Sequence, residues 1–271
     1  DDFAGVSGRD VTAAWKDFEA AQRVARVCGI PVSESKLEGP STSMTFLGFM
    51  FDTVRGLVSV PAEKRHRYLS DMKLWKGDRN ELESVLGKLL HVSEALKMSR
   101  PFLKRIRGDM LQYPRGHKEV RLCARSWKDW QWWEELLSNW VGSSLFTFRE
   151  WRCSADLDLQ TDASGSWGCG AVWGSSWMAV PWRWSERREK VVNIAILELI
   201  PILLAAEAWG DRWSRLKINF ETDNKAVACA GMSWSPKLDH LAKLFRILAR
   251  IAIRHNFEAK FSHIPGKRNV D

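Results

Sequence analysis

The 271-residue chain has only five cysteines, Cys28, Cys123, Cys153, Cys169 and Cys229, and no two of them form a CxxC pair or any other paired spacing. That indicates neither a disulfide framework nor a zinc cage, and it fits reduced thiols in an intracellular protein of the cytoplasm or nucleus. No signal peptide is visible, and no apolar run reaches the roughly 20 residues that a bilayer-spanning helix needs. The longest such run, Val191 to Ala206, is interrupted by Asn193, Glu198 and Pro201. A membrane partner is therefore not expected. Internal repeats and low-complexity segments are missing too. There is no starting Met, and an opening on Asp1-Asp2 reads as a fragment of a longer protein. Nothing in the sequence sets an oligomeric state.

What the chain does have is positive charge: 41 Lys and Arg against 33 Asp and Glu, a formal net charge of +8. Such a surplus favours a polyanionic partner, nucleic acid before membrane. Lys97 to Lys128 concentrates it, with ten Lys and Arg against Asp109 and Glu119. A charge run is often only a solvated face, but one this long and single-signed points to phosphate contact, with Lys104, Arg105 and Arg107 as candidates. The sixteen tryptophans are expected mainly in core and interface packing, with base stacking as the alternative.

Asn193 to Gly210, NIAILELIPILLAAEAWG, is helical in pattern yet apolar nearly all round, which implies burial on most faces. Glu198 stands in its middle. A carboxylate is rarely buried without a partner, so this one reaches a pocket or a cation. Two more acids bracket it, Asp162 in the strand-like LDLQTDASG and Asp223 at the end of LKINFETDN. Three acids from a strand, a buried helix and a second strand suit magnesium, which takes oxygen ligands. Singly, Asp162 also fits a turn residue bonded to its own backbone, and Asp223 a helix cap, although Asn224 can cap equally well. Trp167 and Asn224, beside the two aspartates, are candidate substrate contacts, with packing the first expectation for Trp167.

In chain order, an amphipathic helix is expected from Asp10 to Cys28, closed by Gly29 and Pro31. Two β-like runs follow, Met44–Phe51 and Leu57–Val60, with a turn at Asp52–Gly56. From Pro61 to about Trp140 the pattern is helical throughout, with a split near Ser99-Arg100-Pro101 and a core seam of Trp130, Trp133, Leu137 and Trp140. Leu145 to Asp156 reads as a linker. Beyond it come strands at Leu157–Asp162, Gly168–Trp173 and Trp177–Trp184, a helix at Asn193–Trp209, a strand at Leu216–Thr222, helices at Lys225–Gly231 and Pro236–His255, and a strand at Phe257–His263. Short turns make the first three an antiparallel meander, and helical crossovers make the later strands parallel.

The N-terminal stretch, with Asp1-Asp2, a helix ending in Gly-Ile, SESKLEGP and FLGF, resembles the latter half of a reverse transcriptase palm. The resemblance implies that Asp1 and Asp2 are metal ligands, that Lys36 contacts nucleic acid, and that Phe46-Leu47-Gly48-Phe49 grips a primer. The fingers and the first metal-binding aspartate would lie upstream, so polymerase activity is not expected of this chain alone. GKLLHVSEALKMSRPFLKRI and DWQWWEELLSNW are similar to the thumb and connection of DIRS-type (tyrosine-recombinase) retrotransposons. The last part, with TDASG, ILELIPILLAAEAWG, ETDNKAV and HIPGKRNVD, resembles ribonuclease H. That implies an α/β fold with a mixed five-stranded sheet, two Mg2+ ions, Asp162 as the bridging ligand, and Glu198 and Asp223 each completing one metal.

Three units are thus expected: a palm remnant at 1–60, a helical thumb and connection at 61–150, and a ribonuclease H-like domain at 155–271. The implied partners are RNA/DNA hybrid and primer-template nucleic acid. After HIPG the family's fourth acid is due later than the chain extends, so Asp271 is either a substitute ligand or not the ligand at all. His263 is expected to be structural or near the substrate rather than catalytic. Two rival readings stand beside hybrid cleavage: a non-catalytic nucleic-acid-binding remnant, and a nuclease of the same fold that acts on DNA.

Overall fold

Side-chain punctuation sets the first helix. Asp10 accepts from the Thr12 amide and opens α1 (Val11–Val27), and Gly29, with φ +67, follows its end. The computed structural model describes residues 3–8, 10–140, 144–145 (backbone only), 150–182 and 193–266. Asp1, Asp2 and Asp271 lie outside the described residues. No residue of α1 is buried, and its apolar positions Val11, Trp15, Val24 and Val27 are exposed.

The expected single run Met44–Phe51 is a hairpin, β1 (Ser43–Phe46) and β2 (Phe49–Asp52), turned by Leu47 and Gly48 at φ 48 and 83. Two successive positive φ values match the twist of a tight hairpin. β3 (Leu57–Ser59) adds antiparallel to β2, and β4 (Ser144–Leu145), from the start of the presumed linker, adds to β3.

Between them lie α2 (Ala62–Leu74), α3 (Arg79–Ala95), a 3-10 turn over Lys97–Phe102 at the expected split, α4 (Leu103–Met110) and α5 (Ala124–Asn139). Helix is not continuous: the stretch 111–123 is largely irregular, held by Val120 N–H to the Gly77 carbonyl at 2.8 Å and Arg79 N–H to the His117 carbonyl at 2.8 Å. The seam Trp130, Trp133, Leu137 and Trp140 is fully buried, as its helical spacing requires.

The remainder comprises β5 (Trp151–Arg152), α6 (Ser154–Leu157), β6 (Leu159–Ala163), β7 (Gly168–Trp173), β8 (Ser176–Pro181), α7 (Ile194–Trp209), β9 (Lys217–Thr222), α8 (Lys225–Ser233), α9 (Asp239–His255) and β10 (Glu258–His263). The meander β6-β7-β8 is antiparallel, and β9 pairs parallel with β10, both as expected.

The expected single five-stranded sheet is not what the described strands form. They divide into two three-stranded sheets, β6-β7-β8 and β10-β9-β5. The cause lies at the chain's entry. Trp151 and Arg152 take the first pairing positions of β9, opposite Lys217 and Ile218. The chain then coils into α6, whose Ser154 amide donates to the Glu221 carboxylate at 3.3 Å, and turns away at Asp158 with φ +52. What reads as the start of a strand is a helical turn with a left-handed exit. That turn stands where β6 would meet β9.

One hydrophobic core runs from Val60 to Phe261, joining the helices of 61–140 to the C-terminal elements. Phe102 and Trp132 stack at 3.5 Å, and the Arg250 guanidinium covers the Phe102 ring from α9. Inside this contact Asp129 of α5, 1% exposed, faces Arg246 of α9, 5% exposed, at 3.2 Å, with Arg105 at 3.7 Å. Burial pushes the Asp129 carboxyl up to about 6, against the pull of Arg246, Arg105 and Arg250.

Candidate carboxylate active site

Asp162 is carried by β6, opposite Gly170 of β7, on the solvent-facing side of the meander. The turn after it is tied down. Ser164 Oγ accepts from the Ser166 and Trp167 amides, and Trp182 Nε1 donates to the Ser164 carbonyl at 2.6 Å.

Glu198 comes from α7, which packs on β6 and β7. Asn193 caps that helix through the Ala195 amide at 2.9 Å. Leu197, Leu199 and Ile202 around Glu198 are buried, while Glu198 itself is half-buried. Pro201 interrupts the helix ladder here, because it has no N–H to give to the Leu197 carbonyl.

Asp223 follows the last residue of β9. Its neighbour Asn224 caps α8, accepting from the Ala226 and Val227 amides at 3.0 and 3.2 Å. That leaves the exposed Asp223 carboxylate out of helix capping. One residue of the C-terminal segment holds its backbone, and another lies beside its carboxylate. His263 Nε2 lies 3.1 Å from the Asp223 carbonyl oxygen, and a Cβ on Gly266 would stand 3.4 Å from Asp223 Oδ2.

These three elements place their acids in one field. The Glu198 carboxyl is pushed up to about 7, first by burial and then by the charges of Asp223 and Asp162. Among the described residues, no three His, Cys, Asp or Glu side chains converge tightly enough to enclose an ion. The donor set is all oxygen and anionic, which fits magnesium rather than zinc.

No protein-family model matches this sequence, and no curated protein is similar to it. Among solved structures, the chain is similar to the foamy viral protease-reverse transcriptase dRH in complex with double-stranded DNA, at 12% identity and a TM-score of 0.43, over 94% of this chain and 44% of that one. It is also similar to the foamy viral protease-reverse transcriptase in complex with double-stranded DNA, at 11% identity and a TM-score of 0.36, over 90% of this chain and 51% of that one. The chain spans about half the length of these two proteins.

The residues expected to touch nucleic acid are placed unevenly. Lys36 sits in an exposed 3-10 turn (Glu34–Lys36), and Arg107 is exposed on α4. Lys104 is engaged within the protein, 2.8 Å from Asp239 and 2.6 Å from the Lys237 carbonyl, and Arg105 faces Asp129. Arg100, Arg115 and Lys118 likewise meet Glu94, Glu83 and Asp78. Part of the basic run is therefore an internal ion-pair surface. Asn224 spends its side-chain oxygen on the helix cap. Trp167, for which packing was expected, is 83% exposed beside Asp162. Sequence reasoning missed Gly266 and the Asp129–Arg246 pair; the glycine stood within the quoted HIPG motif, whereas nothing local marks the pair. No helix among the described residues is long and apolar enough to cross a membrane.

Proposed function

We propose that this chain is part of a retroelement reverse transcriptase of the DIRS-like kind, with a palm remnant at 1–60, a thumb and connection at 61–150, and a ribonuclease H domain at 155–271. Its activity is hydrolysis of the RNA strand of RNA/DNA hybrids. One observation carries the reading: Glu198 on the buried helix α7 lies in one field with Asp162 of β6 and Asp223 just past β9, and burial with these two charges raises its carboxyl to about 7. A half-buried acid perturbed by burial and by neighbouring charges is a functional-site candidate. The ordered motifs TDASG, ILELIPILLAAEAWG, ETDNKAV and HIPG supply the reaction class.

Asp162, Glu198 and Asp223 would be the residues that hold magnesium. When bound, such ions activate a water and stabilise the leaving oxygen of a phosphodiester. The chain's own residues do the positioning. α7 holds Glu198 at the margin of the core, where a neutral carboxyl is favoured until a cation arrives. His263 fixes the backbone of Asp223, and Gly266 leaves room beside its carboxylate.

The test is strand choice. End-labelled RNA/DNA hybrid, single-stranded RNA and double-stranded DNA are incubated with the chain and Mg2+. Cutting confined to the RNA of the hybrid is the expected result. Cutting of duplex DNA instead would make this a DNA nuclease of the same fold. Salt-sensitive binding without any cutting would make it a binding module.

A further inference from the structure

Away from the carboxylates, the helical segment contains a cleft of about 410 Å³ between the end of α2 and the start of α5. Two indoles, Trp75 and Trp127, and two cations, Lys76 and Arg121, line it, over Val120 and Leu122. The rings are held in place. Trp75 Nε1 donates to the Asp78 carbonyl at 2.8 Å, and buried Trp130 supports both indoles, at 5.1 Å from Trp75 and 5.8 Å from Trp127. Trp127 nonetheless remains 46% exposed.

The cations are held from the backbone. Val120 N–H donates to the Gly77 carbonyl at 2.8 Å, fastening the Lys76–Gly77 corner to the irregular segment that carries Arg121. Gly77 is required there: its φ is +107, and a Cβ would stand 3.2 Å from the Lys118 carbonyl oxygen. Lys76 and Arg121 are exposed, and neither forms an ion pair among the described residues. Of the acids flanking the two cations, Asp78 is paired with Lys118, and Glu119 is exposed two residues before Arg121.

We infer that this cleft binds a single-stranded nucleic acid segment, with a base stacked on Trp127 and its flanking phosphates on Lys76 and Arg121. Fixed aromatic faces next to unpaired cations are what sequence-independent strand binding requires. An acidic peptide would use the cations but has no planar group for the indoles. The inference goes beyond hybrid cleavage: it assigns the helical segment a grip on unpaired strand.

The test is fluorescence anisotropy of a labelled oligothymidylate with the full chain, alongside polyglutamate. Trp127→Ala is expected to weaken oligothymidylate binding about 5- to 100-fold. Trp15→Ala, which removes an indole of matching exposure (47%), should leave it unchanged. Arg121→Glu, a surface change that spares the fold, should weaken binding and flatten its salt dependence by roughly one phosphate contact. Wild-type binding by both Trp127→Ala and Arg121→Glu overturns the inference, as does Trp127-dependent binding of polyglutamate in place of oligothymidylate. Hybrid cleavage measured in parallel separates the two readings. Stacking without cleavage defeats the nuclease alone, and cleavage with silent cleft variants defeats the cleft alone.

Discussion

His263 Nε2 lies 3.1 Å from the carbonyl oxygen of Asp223, so the last described strand, through its final side chain, holds the backbone of a candidate metal ligand. A carbonyl can only accept, so the imidazole presents Nε2–H here. His263 is thus a positioning residue. His263→Ala is expected to raise the Mg2+ concentration needed for half-maximal cleavage about 10-fold or more, in line with losses of supporting partners at metal sites. The rate at saturating Mg2+ should change less. A lowered saturating rate with unchanged metal dependence would give His263 another role.

Glu198 keeps its proton up to about pH 7 in the folded chain, against an ordinary value of 4.5. The folded state therefore binds this proton more tightly than the unfolded state. The group's contribution to stability is full below about pH 4.5 and is lost as pH rises to about 7. Beyond that, the ionised carboxylate is a net cost to the fold. In the presence of chelator at pH 8, Glu198→Gln is expected to melt several degrees above the wild-type chain, and the gap should close towards pH 4.5. A variant that melts lower at pH 8 contradicts this.

Arg246 and Asp129 form a buried pair in the contact between α9 and α5, yet Arg246 Nη1 and Nη2 have no hydrogen-bond partner among the described residues. Removing one charge strands the other. Arg246→Met alone is expected to cost about 3–5 kcal/mol in urea unfolding, and the double change Asp129→Leu with Arg246→Met should regain most of it. Equal losses in single and double variants would mean that the pair's charges are not coupled.

Much of this was legible before any coordinates. Asp10, Asn193 and Asn224 announce their helices because capping is a contact between near neighbours in sequence. Glu198 stood out because an acid amid Leu197, Leu199 and Ile202 breaks a local pattern. Several of the failures are non-local. Nothing near Lys104 tells of Asp239, 135 residues away. Residue pattern at Leu157 and Asp158 cannot reveal that β9 already has Trp151 and Arg152 as partners. The exposure of Trp167 depends on a turn tied down by Ser164 and Trp182 rather than on its own neighbours.

Gly168 opens β7, and a Cβ there would run into the Val180 carbonyl of β8, a backbone group fixed by strand pairing. Gly168→Ala is expected to destabilise the chain by about 1–3 kcal/mol. Because β7 also pairs with β6, the loss should appear as faster amide exchange along β6 near Asp162. Unchanged exchange there would show that the meander's two pairings are independent.

The most direct measurement is the initial rate of RNA-strand cleavage in an RNA/DNA hybrid at saturating Mg2+, for the wild-type chain and for Asp162→Asn, Glu198→Gln and Asp223→Asn. The three carboxylates are assigned to one centre, so each single change should reduce the rate by at least about 100-fold, the scale on which a positioned charge acts in catalysis. Combining two changes should cost far less than the product of the two losses. A cleaving wild-type chain whose Glu198→Gln variant keeps the same rate would contradict the account at its centre.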